Sequence, residues 1–212
     1  MKMIRNSILF FIFLPVLLYS QEDDFQTWLS TSVKQKISKK SDFYLRNSIR
    51  LRENSSLLSK VFTDVKIKYK YKKKIYFAIG YRDINEWDIQ LERENKERFY
   101  ADIYIRKKTG RLIFLIRNRL QKQGKFKHYD YLFRQRYTLD YNLRGTKLTP
   151  SMSTEYFYHY IDKINKLRHS LTISFPFSKR IDFNVSYRIQ KQLNVANPLD
   201  IYILDGKISY NL

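Results

Sequence analysis

Residues 181–190 alternate apolar and polar side chains without interruption, with Ile181, Phe183, Val185, Tyr187 and Ile189 on one face and Asp182, Asn184, Ser186, Arg188 and Gln190 on the other. Successive side chains of a β-strand point to opposite faces, so this period of two predicts a strand with one apolar and one polar face. The pattern returns along most of the chain in segments of about ten residues, the length that a tilted strand needs to cross a bilayer. The sequence therefore predicts an all-β fold, an antiparallel up-and-down transmembrane β-barrel of about 10–12 strands.

The number of strands is ambiguous at the start of the chain. Residues 25–37 read as an extra strand and bring the count to eleven, whereas single-chain bacterial barrels normally have an even number. Either a strand is missed within residues 85–96, or the first segment is not a full wall strand. Short basic turns such as 72–74 alternate with longer segments such as 85–96 and 121–127, which predicts short turns on one side of a membrane and loops on the other.

The first twenty residues have the order of a signal peptide. Lys2 and Arg5 precede an apolar run over 7–18, and Ser20 supplies the small residue before a cleavage point. We expect residues 1–20 to be removed and residues 21–212 to form a single outer-membrane β-barrel domain. This export route predicts location in the cell outer membrane of a Gram-negative bacterium.

Charge and cysteine content restrict the partners. Loss of residues 1–20 lowers the formal net charge from +21 to +19, which favours anionic partners. Export argues against nucleic acid, so the expected partners are outer-membrane lipids. The last strand, with Leu204, Gly206, Ile208, Tyr210 and Leu212 on one face, resembles the signal that the barrel-assembly machinery reads during biogenesis. The chain has no cysteine, so no disulfide contributes to stability, and the oligomeric state stays open.

The polar faces of the predicted strands are rich in arginine. If the apolar faces contact lipid, the lumen is lined by these arginines and by several acids: Arg50, Arg52, Asp64, Arg82, Arg98, Asp102, Arg117, Arg119, Arg134, Arg136, Asp140, Glu155, Arg168, Asp182 and Arg188. Two interpretations follow. Ion pairs could fill the lumen and stiffen the wall, giving a structural barrel. Alternatively, the surplus of arginine could form a narrow pore that favours anions.

Short motifs in a fixed order resemble the bacterial family named domain of unknown function 2490. The motifs are Phe25-Gln26-Thr27-Trp28-Leu29, Arg50-Leu51-Arg52, Phe62 with Asp64, Gly80-Tyr81-Arg82, Glu97-Arg98, Arg117-Asn118-Arg119, Arg134-Gln135-Arg136, Glu155-Tyr156-Phe157, Leu167-Arg168 and Tyr187-Arg188. The resemblance covers essentially all of residues 21–212. It implies an outer-membrane barrel with recurrent inward arginines and acids, and it brings no activity, substrate or catalytic residue.

Two other function classes remain open. A soluble, lipocalin-like binding barrel of the periplasm would show the same alternation with its apolar face inside. A lipid-modifying barrel enzyme would use His159 with Glu155 and Ser153, which share a strand face. His169 and Ser170 point to opposite faces and cannot act together.

We predict that the protein is not an enzyme and has no catalytic, cofactor-binding or metal site. Cysteine is absent, the three histidines lack ligand spacing, and the five glycines form no phosphate-binding loop.

Overall fold

The computed structural model describes residues 24–159, 163–195 and 198–212. The predicted signal peptide, residues 1–20, lies outside the described residues, as does the start of the predicted barrel domain at residue 21. No helix in the described part of the chain is long and apolar enough to cross a membrane. The described residues form eleven strands: β1 (Asp24–Lys36), β2 (Ser41–Arg52), β3 (Leu57–Lys72), β4 (Ile75–Trp87), β5 (Arg93–Thr109), β6 (Leu112–Lys125), β7 (His128–Tyr141), β8 (Thr149–His159), β9 (Lys163–Pro176), β10 (Ile181–Gln192) and β11 (Asp200–Asn211).

The strands close into one barrel in chain order, with β1 beside β11. The predicted all-β barrel of ten to twelve strands is thereby confirmed. The antiparallel prediction needs one correction, because β1 and β11 pair in parallel, from Asp24 opposite Ile201 to Lys34 opposite Asn211. Each hairpin reverses the chain, so the first and last of an odd number of strands run the same way.

The two explanations offered for the odd count are both wrong. The strand β1 is a full wall strand that pairs with β2 on one side and β11 on the other. Residues 85–96 hide no further strand, because they form the end of β4 and the start of β5, where Asn85 lies opposite Asn95.

The long loop predicted over 121–127 is also wrong. Its residues continue β6 as far as Lys125 and leave 126–127 as the turn before β7. The backbone ladder does not need apolar side chains, so strand pairing continues beyond the apolar band and the polar ends of hairpins look like loops in the sequence.

The outer surface of the barrel is apolar on every strand. Each of the eleven strands exposes a large apolar side chain by 44 to 66 %: Leu29, Ile49, Ile67, Ile79, Phe99, Leu120, Tyr131, Met152, Leu171, Val185 and Ile208. The residues between them point inward, and many are polar yet buried, including Ser48, Asp64, Arg82, Asp102, Arg119, Arg134, Glu155, Ser186 and Gln190. The barrel therefore has an apolar exterior and a polar interior, the reverse of a soluble ligand-binding barrel.

Candidate functional site

The barrel encloses a cavity of about 470 Å³. On β2 its wall extends from Tyr44 to Arg52, which corresponds to about 20 Å along the axis for a tilted strand. Twelve of the side chains singled out in the sequence line this cavity: Arg50, Arg52, Asp64, Arg82, Arg98, Arg117, Arg119, Arg134, Arg136, Glu155, Arg168 and Arg188. These side chains share the cavity because the alternation in each strand points them all to the inside of the barrel.

Three of the acids singled out in the sequence lie beside the cavity and not in its wall. Asp102 is buried beneath Arg119, which donates to both of its oxygens from Nε at 2.6 Å and from Nη2 at 2.7 Å. Asp140 accepts a hydrogen bond from the Ser151 hydroxyl at 2.6 Å. Asp182 accepts one from Nδ2 of Asn211 at 2.8 Å.

Glu155 is the centre of the largest charge cluster. Its side chain is 3 % exposed, and its Oε1 accepts from Nη2 of Arg117 at 2.5 Å and from Nη2 of Arg134 at 2.7 Å. Nη1 of Arg168 lies 3.7 Å from the other oxygen. These arginines come from β6, β7 and β9 and enclose a carboxylate on β8. One acid therefore neutralises part of the charge of three neighbouring strands.

A second cluster surrounds Asp64 on β3. Oδ2 of Asp64 accepts from Nε of Arg82 at 2.7 Å, and Nη2 of Arg46 lies 3.5 Å away. The Tyr100 hydroxyl donates to Oδ1 of the same carboxylate at 2.8 Å. The Tyr100 ring crosses over Gly80, where a Cβ would overlap it. Glycine is required at position 80 because an aromatic ring occupies the place of its side chain.

Besides tyrosines such as Tyr100, the aromatic side chains of Trp28, Phe62 and Phe157 point into the lumen among the arginines. Trp28, Phe62 and Phe157 are each exposed by 7 % or less. The guanidinium of Arg50 stacks on the Trp28 ring at 3.6 Å, measured from Cζ to the ring centroid, and that of Arg82 stacks on Phe62 at 4.0 Å. Stacking on an aromatic face attracts a guanidinium even where no carboxylate is near. Sequence reasoning missed these inward aromatics, although the alternation already places Phe62 on the face of Asp64.

The wall of the cavity is strongly cationic. Among the described residues it contains eleven arginines and four lysines but four carboxylates. The sequence interpretation also overlooked Glu86 and Asp205 as acids of this wall. Glu86 pairs with Lys60 at 2.8 Å, and Asp205 pairs with Arg188. Several basic groups share one carboxylate in these ion pairs, so the wall keeps a large excess of positive charge among the described residues.

A comparison with protein-family models finds a match over most of the chain. The chain belongs to the DUF2490 family. The family model, described as a protein of unknown function, matches residues 25–199. A search of curated proteins found no match to this chain.

One solved structure with a similar fold is the beta domain of the Bordetella autotransporter Brka. The two chains are 9 % identical, with a TM-score of 0.45, and the alignment covers 79 % of this chain and 82 % of that chain.

The residues of the lipid-modifying hypothesis do not form a catalytic arrangement in this DUF2490 barrel. The Ser153 hydroxyl accepts a hydrogen bond from Nη2 of Arg136 at 2.9 Å, and Glu155 is occupied by arginines. His159 lies 3.9 Å from Asp130, and His169 faces outward in contact with Thr154. Among the described residues, no three His, Asp or Glu side chains are placed to hold a metal ion.

Polar side chains on the outer face pair with each other across strands. The Thr63 hydroxyl donates to Oδ1 of Asn47 at 2.8 Å, and Nε2 of Gln135 donates to Oδ1 of Asn118 at 2.9 Å. Such pairing satisfies polar groups that an apolar surrounding could not. The outer surface of the DUF2490 barrel therefore stays compatible with an apolar environment.

Proposed function

We propose that this DUF2490 chain is an outer-membrane β-barrel whose lumen forms a narrow pore that favours anions. The observation that carries the proposal is the composition of the cavity wall, fifteen basic side chains against four carboxylates among the described residues. Rings of arginine and lysine favour the passage of anions. Mobile anions in the lumen would also offset the cost of confining so much positive charge.

The outer surface supports the membrane part of the proposal. An apolar band present on all eleven strands is larger than a soluble protein usually exposes, whereas a lipid bilayer would cover it. The partners are then outer-membrane lipids and, during biogenesis, the barrel-assembly machinery. Membrane fractionation tests this step, because carbonate or urea washing should leave the protein in the outer-membrane pellet. Release into the wash would contradict it.

Planar bilayers test the pore. The purified, refolded chain should give currents whose reversal potential in a KCl gradient has the sign of anion preference. Exchange of Arg98 and Arg136 for glutamine should reduce this preference, because neither side chain forms an ion pair with a carboxylate among the described residues. Lys122→Gln is the matched control, since Lys122 is on the outer face, stacked on Tyr129 at 4.0 Å. Cation preference would refute the proposal.

A structural barrel without conduction is the second candidate. The cluster around Glu155 favours it, because three arginines bound to one carboxylate stiffen the wall and occupy the lumen. Its signature is a heat-modifiable band on gels with no current in bilayers.

Both candidates are non-enzymatic, because the hydroxyl of Ser153 and the carboxylate of Glu155 are held by arginines. The enzyme alternative predicts a changed lipid profile after His159→Ala, and an unchanged profile would exclude it.

A further inference from the structure

Four arginines of the cavity wall have no carboxylate within 4.0 Å among the described residues: Arg50, Arg52, Arg98 and Arg136. Two of them have side-chain acceptors, since Arg98 donates to Gln123 from both Nε and Nη2, and Nη2 of Arg136 donates to Ser153 while its Nε has no partner. Arg50 and Arg52 have no side-chain acceptor among the described residues. Nε of Arg50 and both Nε and Nη2 of Arg52 are buried without a hydrogen-bond partner in this part of the chain. A buried guanidinium N–H without an acceptor is costly, so an acceptor bound in the lumen would stabilise these donors.

The two arginines form one surface at the end of β2. They are two residues apart, so their side chains point to the same face of the strand, about 7 Å apart at Cα. A β-bulge lies at this point, where the register with β3 shifts between Arg50 and Leu51. Ser59, the extra residue on β3, donates to the carbonyl of Arg50 at 3.3 Å and lines the cavity. Bulges commonly occur where a side chain is re-aimed toward a functional site.

Packing fixes the orientation of Arg50. Its guanidinium stacks on Trp28 at 3.6 Å and lies 5.0 Å from the Phe62 ring centroid. The Trp28 ring is therefore in contact with the guanidinium, while its buried Nε has no acceptor among the described residues and can take another ligand. Arg168 also approaches the Trp28 ring, at 5.1 Å, so positive charge converges here from β2 and β9.

We propose that Arg50 and Arg52 bind one small tetrahedral oxyanion, of the phosphate or sulfate class, inside the lumen. This site rests on the proposed function in one respect, because an anion can bind there only if the lumen is open to solutes. A guanidinium presents two parallel N–H groups that match two oxygens of an oxyanion, whereas a chloride ion uses this fork poorly. The two guanidinium groups lie on one face of β2. Together they carry three buried N–H donors without a partner among the described residues, which are Nε of Arg50 and Nε and Nη2 of Arg52.

Titration with inorganic phosphate tests the site. Calorimetry on the refolded full chain in detergent should show saturable phosphate binding. Sulfate should compete with phosphate for the site, whereas chloride at equal ionic strength should have little effect on phosphate affinity. Replacing both Arg50 and Arg52 by glutamine should weaken phosphate binding by about tenfold or more, since charge-assisted hydrogen bonds are lost. Arg52→Gln alone should also weaken phosphate binding. This variant is expected to fold, because Arg52 has no stacking or side-chain hydrogen-bond partner to lose among the described residues.

Arg98→Gln is the matched control. It removes the same charge from the same lumen, but Nε and Nη2 of Arg98 both already donate to Gln123. Its phosphate affinity should stay within about twofold of the parent chain. Equal loss in this variant would mean that phosphate is held by general positive potential, and unchanged affinity in the Arg50 and Arg52 variants would mean that it binds elsewhere. Either result overturns the site.

The two proposals fail separately. Anion-selective current without saturable phosphate binding would remove the site and leave the pore. Saturable binding that depends on Arg50 and Arg52 in a barrel that carries no current would remove the pore and leave the site.

Discussion

Removing the charge of Glu155 should be the most damaging single change in the lumen. Glu155→Gln keeps the size of the side chain but replaces a charged acceptor with a neutral amide. Arg117 and Arg134, at 2.5 and 2.7 Å, would then lose the one carboxylate that pairs with them in the described part of the chain, and the new NH₂ group would face other donors. The side chain is 3 % exposed, so water reaches the position poorly.

The size of the effect follows from burial. Removing one partner of a buried ion pair costs about 3–5 kcal/mol, because the other charge is left buried without compensation. Two arginines depend closely on Glu155, which raises the cost, whereas Arg117 is itself 16 % exposed toward the cavity that it lines, which lowers the cost. We expect a loss of about 3 kcal/mol in the free energy of unfolding, roughly a hundredfold in the folded ratio.

Urea unfolding of the refolded barrel in lipid vesicles measures this loss. Trp28, buried in the lumen against Arg50, contributes to the fluorescence signal together with Trp87. Glu53→Gln is the control, because Glu53 is an exposed turn residue whose carboxylate forms no ion pair among the described residues. A loss below about 1 kcal/mol for Glu155→Gln, or an equal loss for Glu53→Gln, would refute the view that Glu155 stabilises the wall.

Two further changes test packing and the outer face. Gly80→Ala should destabilise the barrel by about 1–3 kcal/mol because the new Cβ would displace the Tyr100 ring, whereas Gly206→Ala, with its nearest side-chain atom at 3.4 Å, should be nearly neutral in the same unfolding assay. On the outer face, Gln135→Leu should cost about 1–3 kcal/mol in vesicles by leaving Asn118 unpaired, and replacing both by leucine should restore stability. Aggregation of the double variant in lipid would contradict a lipid-facing surface there.

The sequence predicted the barrel because alternation is a local property. The alternation of apolar and polar residues can be recognised within each strand alone. In β10, the structure places Ser186 and Gln190 inside and Val185 and Tyr187 outside, on the two faces that the alternation separates. Strand ends were harder to predict because pairing depends on the backbone. Residues 121–125 look like a loop in composition, yet they remain paired with β7.

Closure and pairing could not be predicted from single segments. The parallel contact between β1 and β11 joins residues 177 positions apart, as in the hydrogen bond from Ser32 to Ser209. Likewise, Glu155 and Arg117 meet across the intervening strand β7, so their contact depends on the register of two strand pairs. Such contacts depend on shear and tilt of the whole barrel.

The geometry of guanidinium explains why counting arginines does not distinguish a filled lumen from an anion site. A guanidinium has two flat faces and a rim of N–H donors, and the two require different partners. Trp28 and Phe62 cover faces, whereas Glu155 and Asp64 accept from rims. An arginine whose N–H groups donate to a carboxylate stabilises the barrel wall, whether or not its flat face stacks on an aromatic ring. Arg50 contacts the Trp28 ring, and its Nε has no acceptor among the described residues, so stacking holds the guanidinium in place while its N–H rim stays available to an anion.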